Sequence, residues 1–325
     1  MLFRVIARAR VLPVSAGDRV PARIGLGLAA LGRPGYLNLG HGDDLGDDRS
    51  SDALQAQSFA VLDAALAAGV RYYDAARSYG RGEEFLGAWL ADRQPADVVV
   101  GSKWGYVYTA GWQIDADPPE VKHHDVDTFR RQLEETRANL GDRLALYQIH
   151  SATPDSGVLE NEAVLADLRD LRASGVALGV TGSGPSQSAI VDRARELGFF
   201  DAVQATWNLH EPSAGPALRR AHDAGVEVIV KEALANGRLS PRGAPPELGR
   251  VAAGLGATAD AVALAAVLAQ PFADIVLSGA ATPEALRSNL AAAALELPAE
   301  ALEELRALEE PADTYWAARG ELAWT

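Results

Sequence analysis

Residues 52–80 read DALQAQSFAVLDAALAAGVRYYDAARSYG, and this stretch decides the fold. Asp52–Ala68 has the 3.6-residue apolar spacing of a helix. Gly69 stands where a left-handed C-cap stops it. Val70–Asp74 is a short, continuous apolar run, the pattern of a strand buried on both faces. A loop with Ser78 and Tyr79 follows. The same alternation continues in both directions. Further strands are predicted at Ile24–Leu31, Val98–Lys103, Leu144–His150, Val176–Thr181, Ala202–Trp207, Val226–Lys231 and Ile275–Gly279. Helical windows lie between them, and Gly141, Gly175, Gly198 and Gly225 close four of these. Eight strand–helix pairs with no long linker predict an α/β chain closed as a (β/α)8 TIM barrel, one domain over residues 1–325.

Three further pieces lie outside the repeat. Met1–Arg19 is expected to form a short N-terminal hairpin plugging the barrel's amino end. The inserts Trp104–Val126 and Ala235–Val251 fall after the third and seventh strands, on the carboxyl face where barrels carry function. The C-terminal tail holds Thr314-Tyr315-Trp316 and Trp324, expected to pack on a neighbouring helix rather than fold over the pocket.

Composition narrows the classes. Asp plus Glu number 44 against 30 Lys plus Arg, a net charge of −14, which argues against general nucleic-acid binding. The absence of Cys excludes disulfides and thiolate chemistry. No run of about 18 uncharged apolar residues predicts a membrane span. Arg4, Arg8 and Arg10 interrupt the apolar N-terminus, unlike a signal peptide, so a cytoplasmic protein is expected. No His-x-His ends the first strand, and no metal is expected. His123-His124 reads as exposed loop.

The ends of strands two, three and four deliver Asp74, Lys103 and His150 to one mouth, with Tyr79 five residues past the Asp. Adjacent strands lie about 4.8 Å apart, so these side chains can converge. The mix suits proton transfer to a carbonyl oxygen. A phenol titrates near 10 unperturbed, a neighbouring ammonium lowers it, and a carboxylate keeps that ammonium charged and placed. An imidazole orients the oxygen, leaving Tyr79 as general acid or base. The chain has three Lys, at 103, 122 and 231, and two of them end predicted strands. Arg cannot give up a proton, so Lys marks places where proton affinity counts.

These segments resemble the aldo-keto reductases over most of the chain. The matching stretches are Pro21–Leu28, Gly69–Ala76 with Tyr79-Gly80, Ser102-Lys103, Gln148–His150, and Val276–Ala280 followed by Pro283, Leu286, Asn289 and Leu290. The resemblance implies hydride transfer between a nicotinamide and an aldehyde, ketone or sugar carbonyl, with NADP(H) preferred over NAD(H). It implies catalytic roles for Asp74, Tyr79, Lys103 and His150. It places Gly27, Leu28 and Asp74 near the nicotinamide ribose, Thr181 and Gln204 at the carboxamide, and Leu234, Asn236 and Arg238 over the pyrophosphate. Gly279, Ala280, Thr282 and Asn289 fall at the adenosine phosphate, beside a helix N-terminus that favours phosphate.

Three departures from the family pattern stand out. Thr181-Gly182 replaces a common Ser-Asn. Lys231-Glu232 replaces a stacking aromatic followed by Ser, which leaves Trp207 as a substitute and Lys231 either to pair with Glu232 or to reach the cofactor. Ser288 replaces a Glu near the adenine. Arg238 and Arg287 are the candidates for a 2′-phosphate. Trp104, next to Lys103, is a candidate wall of the substrate pocket, with Tyr106, Tyr108 and Trp112 beyond it. A mostly aromatic pocket with no evident anion clamp points to a small-molecule aldehyde, ketone, sugar or polyol rather than a phosphorylated substrate. Two other readings stand beside this one: a lyase forming a Schiff base on Lys103 or Lys231, and a non-catalytic nucleotide-binding redox sensor.

Overall fold

The computed structural model describes residues 10–12 and 23–325; the expected hairpin over Met1–Arg19 lies almost wholly outside the described residues. Ten strands are present among the described residues: β1 (Ile24–Gly27), β2 (Tyr72–Asp74), β3 (Val99–Trp104), β4 (Tyr106–Tyr108), β5 (Glu120–Lys122), β6 (Leu144–Ala152), β7 (Ala177–Gly182), β8 (Ala202–Thr206), β9 (Glu227–Lys231) and β10 (Ile275–Ser278). Eight of them close a parallel barrel in the order β1-β10-β9-β8-β7-β6-β3-β2. This is the (β/α)8 barrel, and each of its strands falls on a predicted apolar run.

The helices follow local rules. Val126–Leu140 begins after Asp125, whose side chain accepts from the Thr128 N–H at 2.7 Å. Such a cap stabilises by about 1 kcal/mol. The helix buries Phe129, Leu133, Thr136 and Leu140 at helical spacing, and ends at Gly141. Gly69 and Gly225, with φ of 94° and 78°, turn the chain from helix to strand in backbone most side chains avoid.

The apolar core is layered. Outside the barrel, strand residues such as Tyr73 and Tyr147 meet helix residues such as Trp89, Phe129 and Leu168. Inside it, Tyr72, Leu146, Ile229 and Ile275 fill the amino end together with Leu12. The backbone N–H groups of Val11 and Leu12 donate to the Glu227 carboxylate at 2.9–3.2 Å, so this short piece of the N-terminal segment does seat against the barrel floor.

Both inserts carry structure the sequence reading left as loop. The first folds into the antiparallel ribbon β4–β5. There His124 packs edge-on against the Trp104 ring at 5.9 Å and lies 2.8 Å from the His150 carbonyl, so it is not an exposed loop residue. The second insert contains the helix Pro246–Gly254. The tail forms a helix, Ala312–Gly320, on a separate apolar cluster with Leu239, Leu248 and Leu305. It also comes over the mouth, against expectation: the Arg319 guanidinium lines the cleft. No single helix among the described residues is long and apolar enough to cross a membrane.

Candidate active site

A cleft of about 480 Å³ opens across the carboxyl ends of the strands. Its inner end holds Asp74, Tyr79, His150, Gln204 and Lys231. Parallel register brings these residues together. Asp74 pairs with Gly27 and Gly101, Lys103 with Gln148, and Thr206 with Lys231.

Period-two alternation puts Tyr72 and Asp74 on the same, inward face. The Tyr72 hydroxyl donates to Asp74 Oδ1 at 2.9 Å, and Gln148 Nε2 donates to the same oxygen at 3.0 Å. The other carboxylate oxygen accepts from Lys103 Nζ. That ammonium also donates to the Ala75 carbonyl at 2.9 Å and to the Tyr79 hydroxyl at 3.2 Å. Lys103 and Asp74 are each 1% exposed, which makes this a buried ion pair whose remaining donors and acceptors are filled, the condition under which such a pair persists. Tyr79 meets the His150 ring edge-on at 5.4 Å.

Electrostatics revise one expectation. Burial, with Asp74 behind it, pushes the Tyr79 phenol well above its ordinary value, and Arg33 only partly opposes this. The Lys103 ammonium, 3.2 Å from the hydroxyl, is placed to favour the phenolate, but burial outweighs it. Tyr79 is therefore a protonated phenol at neutral pH. Burial, reinforced by Lys103 and Lys231, drives His150 well below 6.5, so its imidazole is neutral. Ser78 Oγ lies 3.4 Å from His150 Nδ1. When Nδ1 accepts a hydrogen bond from that hydroxyl, the neutral ring carries its one proton on Nε2.

Two further ion pairs, Arg33 with Glu120 and Arg319 with Glu232, border the mouth. Arg33, 2% exposed, donates to Glu120 at 2.9 Å and to the Ser78 carbonyl at 3.0 Å. It lies 5.4 Å from the Tyr79 ring and 4.5 Å from that of Trp324. Arg319 grips Glu232 through both carboxylate oxygens. Although burial opposes it, Arg319 and Lys231 hold Glu232 down to about 2. Arg33, Glu120 and Arg319 do not announce themselves in the sequence, because each acts through a contact distant along the chain.

The deciding observation comes from comparison with known proteins: residues 23–310 match the model of the Aldo/keto reductase family. The chain belongs to that family. An aldo-keto reductase of Strobilurus tenacellus is 24% identical, the match covering 91% of each chain. A D-threo-aldose 1-dehydrogenase of a Pseudomonas species is 28% identical over 70% of this chain and 72% of its own. Among solved structures, an aldo-keto reductase of Bacillus halodurans in its holo form superposes with a TM-score of 0.68 at 20% identity, over 89% of this chain and 93% of that one. A glycerol dehydrogenase of Gluconobacter oxydans does so at 0.67 and 22%, over 88% and 90%. Family membership makes the chain an oxidoreductase of the carbonyl-reducing kind.

Within this reductase, the residues expected to hold a dinucleotide divide in two. Gly27, Leu234, Asn236, Gly279, Ala280 and Asn289 line the cleft, as do Gln204 and Lys231. Leu28, Thr181, Arg238 and Thr282 do not. Leu28 is wholly buried. Thr181 Oγ1 accepts from the Ser151 N–H at 2.5 Å, so it is Ser151, with φ of 50°, that reaches the cleft. Thr282 caps the helix Pro283–Leu290, accepting from the Ala285 N–H at 3.1 Å. Arg238 is paired with Glu310. The two tryptophans are also misplaced. Trp104 is fully buried against Phe129, and Trp207 packs edge-on to Phe272 at 6.0 Å, so neither faces the cleft. Asp260 at the far end and Ser151 at the near end are lining residues the sequence reading missed.

The cleft fits a nicotinamide dinucleotide on its own evidence. It runs from a proton-donor cluster to Gly279 and Asn289, and the space beside the Gly279 backbone is open, with nothing within 4 Å of a Cβ built there, which leaves room for a phosphate.

Proposed function

We propose that this protein, acting as one barrel domain, is a nicotinamide-dependent reductase of small aldehydes, ketones or sugar carbonyls, or a dehydrogenase of the matching alcohols. The carrying observation is the Tyr79 hydroxyl 3.2 Å from Lys103 Nζ, at the cleft end shared with His150. A bound dinucleotide supplies or accepts the hydride; the other roles fall to the chain. Tyr79, held protonated by burial, donates its proton to the carbonyl oxygen as negative charge grows there. Lys103 stands behind the phenol and stabilises the phenolate left after transfer, and Asp74 fixes Lys103 in place. His150, neutral, donates from Nε2 to the same oxygen and orients it. In the alcohol-oxidising direction the same atoms run in reverse. The relative named for D-threo-aldose oxidation supports a polyhydroxylated carbonyl or its hemiacetal as one substrate type.

The cofactor is proposed to be NADP(H), as in the family generally. At the far end Arg287 is paired with Glu284 at 2.5 Å, and Arg242, which lines the cleft, is paired with Asp44 at 2.6 Å. The Arg242 side chain is 43% exposed and pairs of that kind are weak, so a 2′-phosphate can draw Arg242 away.

Consumption of NADPH or NADH with a panel of aldehydes, ketones and aldoses tests this reading. Turnover that needs both cofactor and carbonyl supports it. Cofactor binding with no turnover of any carbonyl favours the redox-sensor reading instead. The Schiff-base reading finds Lys103 donating to three acceptors, which leaves Lys231; borohydride trapping of a carbonyl on Lys231 without any nicotinamide would favour it.

A further inference from the structure

The inner end of the cleft holds more charge than an uncharged carbonyl requires. Lys103 is matched by Asp74, and Arg33 by Glu120 at 2.9 Å. The third group is unbalanced: Lys231 and Arg319 share the single carboxylate of Glu232. Arg319 occupies it, with nitrogens 2.5 and 3.0 Å from Oε1 and 3.0 Å from Oε2. Lys231 Nζ stays 4.0 Å from Oε1, beyond a hydrogen bond. Among the described residues its one hydrogen bond goes to Thr206 Oγ1 at 3.1 Å, a neutral hydroxyl. The Trp316 ring, 5.8 Å away, offers only its π face.

An ammonium has three donors, and this one is largely removed from water, its side chain 15% exposed. Burial lowers it to about 8, with Glu232 opposing, so it remains charged at neutral pH. A cation held this way costs free energy until an acceptor reaches it. It lines the same cleft as Tyr79 and His150, and its charge is among those felt by His150. The surplus at this end is one positive charge, which a carboxylate balances and a phosphate dianion exceeds.

We propose that Lys231 receives a carboxylate carried by the substrate, so that the preferred carbonyl compound is a monoanionic oxo-acid or aldehyde-acid. This rests on the reading above that the reacting oxygen sits at Tyr79 and His150. It adds a carboxylate to the unphosphorylated carbonyl expected from the sequence, where the Lys231 ammonium stood without its surroundings.

The test pairs substrates that differ only in charge: succinic semialdehyde with butanal, and 4-carboxybenzaldehyde with benzaldehyde. The wild-type protein is expected to favour the carboxylated member of each pair in kcat/KM. Lys231→Met is expected to lower that ratio about tenfold or more, the size of a charge-assisted hydrogen bond, mainly through KM. Lys231→Arg should restore much of it, and melting curves of both variants confirm folding. A ratio unchanged by Lys231→Met overturns the proposal. So does a loss of cofactor affinity that depresses both members alike, because Lys231 would then serve the cofactor. Succinate titrated into the cofactor-saturated protein, followed by tryptophan fluorescence, gives a readout without turnover. Binding lost in Lys231→Met upholds the site, and binding absent from the wild type or unaffected by the variant overturns it. If no aldehyde of either kind turns over, the reductase reading fails, whichever way succinate binding falls.

Discussion

Gly101 carries no side chain where the Tyr72 hydroxyl passes: a Cβ there would lie 2.4 Å from that oxygen. The vacancy lets Tyr72 cross beneath β3 and donate to Asp74, whose other oxygen holds Lys103. Gly179 does the same for Gln148, whose Cγ would sit 2.7 Å from a Cβ. The support of the proposed proton donor thus includes two absences of side chain. Gly101→Ala must push Tyr72 aside. The expected result is a loss of about 1–3 kcal/mol of stability from overpacking, with kcat falling well beyond what the loss of folded protein explains. Denaturant titration and kinetics on the same preparation check this, and full kcat in a destabilised variant would detach Tyr72 from the site.

Tyr79→Phe keeps the ring that packs against His150 and removes only the hydroxyl. Turnover in either direction should fall by about a hundredfold to ten-thousandfold, the span of general acid–base catalysis. Cofactor affinity should change little, because the hydroxyl's partner in the structure is Lys103 rather than the lining of the far end. Single-turnover rates with equilibrium cofactor titrations separate the two. A variant within a few fold of wild type would remove Tyr79 from proton transfer.

The barrel was legible because its grammar is local. A continuous apolar run, a loop, a 3.6-period window and a glycine stop recur at short range, and each of the eight predicted runs became a barrel strand. Asp74, Lys103 and His150 were legible because strand ends in a barrel meet at one face. The two misplaced tryptophans follow from alternation. Lys103 points into the mouth, so Trp104, one residue on, must point outward to Phe129. Thr206 reaches Lys231, so Trp207 turns to Phe272 in the same way. Parity along the strand contained that answer. Arg33, Glu120 and Arg319 are different. They meet their partners across 87 residues, as Arg33 with Glu120 and Glu232 with Arg319, and no periodicity encodes such a meeting.

Arg242 offers a test of cofactor preference. It lines the far end of the cleft, and its pair with Asp44 is open to solvent, worth about 0–1 kcal/mol. A phosphate dianion therefore competes well for it. Arg242→Ala should weaken NADPH binding about fivefold to tenfold, one partly exposed charge-assisted contact. NADH, without the phosphate, should be affected less than about twofold on the same argument. Fluorescence titration of both cofactors against both proteins decides it. Equal losses for the two would place Arg242 at the shared part of the dinucleotide.

Glu227 sets a pH dependence at the opposite end of the barrel. Its carboxyl is buried at the start of β9, and burial, with Asp274 adding to it, raises it to about 7 against the Val11 and Leu12 N–H groups that oppose the rise. A carboxyl raised in the folded state favours folding in its protonated form. Its contribution is complete below the unfolded value, near 4.5, and is lost as pH climbs through 7. Glu227→Gln keeps an oxygen to accept from Val11 and Leu12 but cannot ionise. The variant should match wild type in Tm near pH 5 and exceed it near pH 8, by the equivalent of about 1–3 kcal/mol. Melting curves at the two pH values measure the difference. A gap that stays constant across them would show that Glu227 does not change protonation between the folded and unfolded chain.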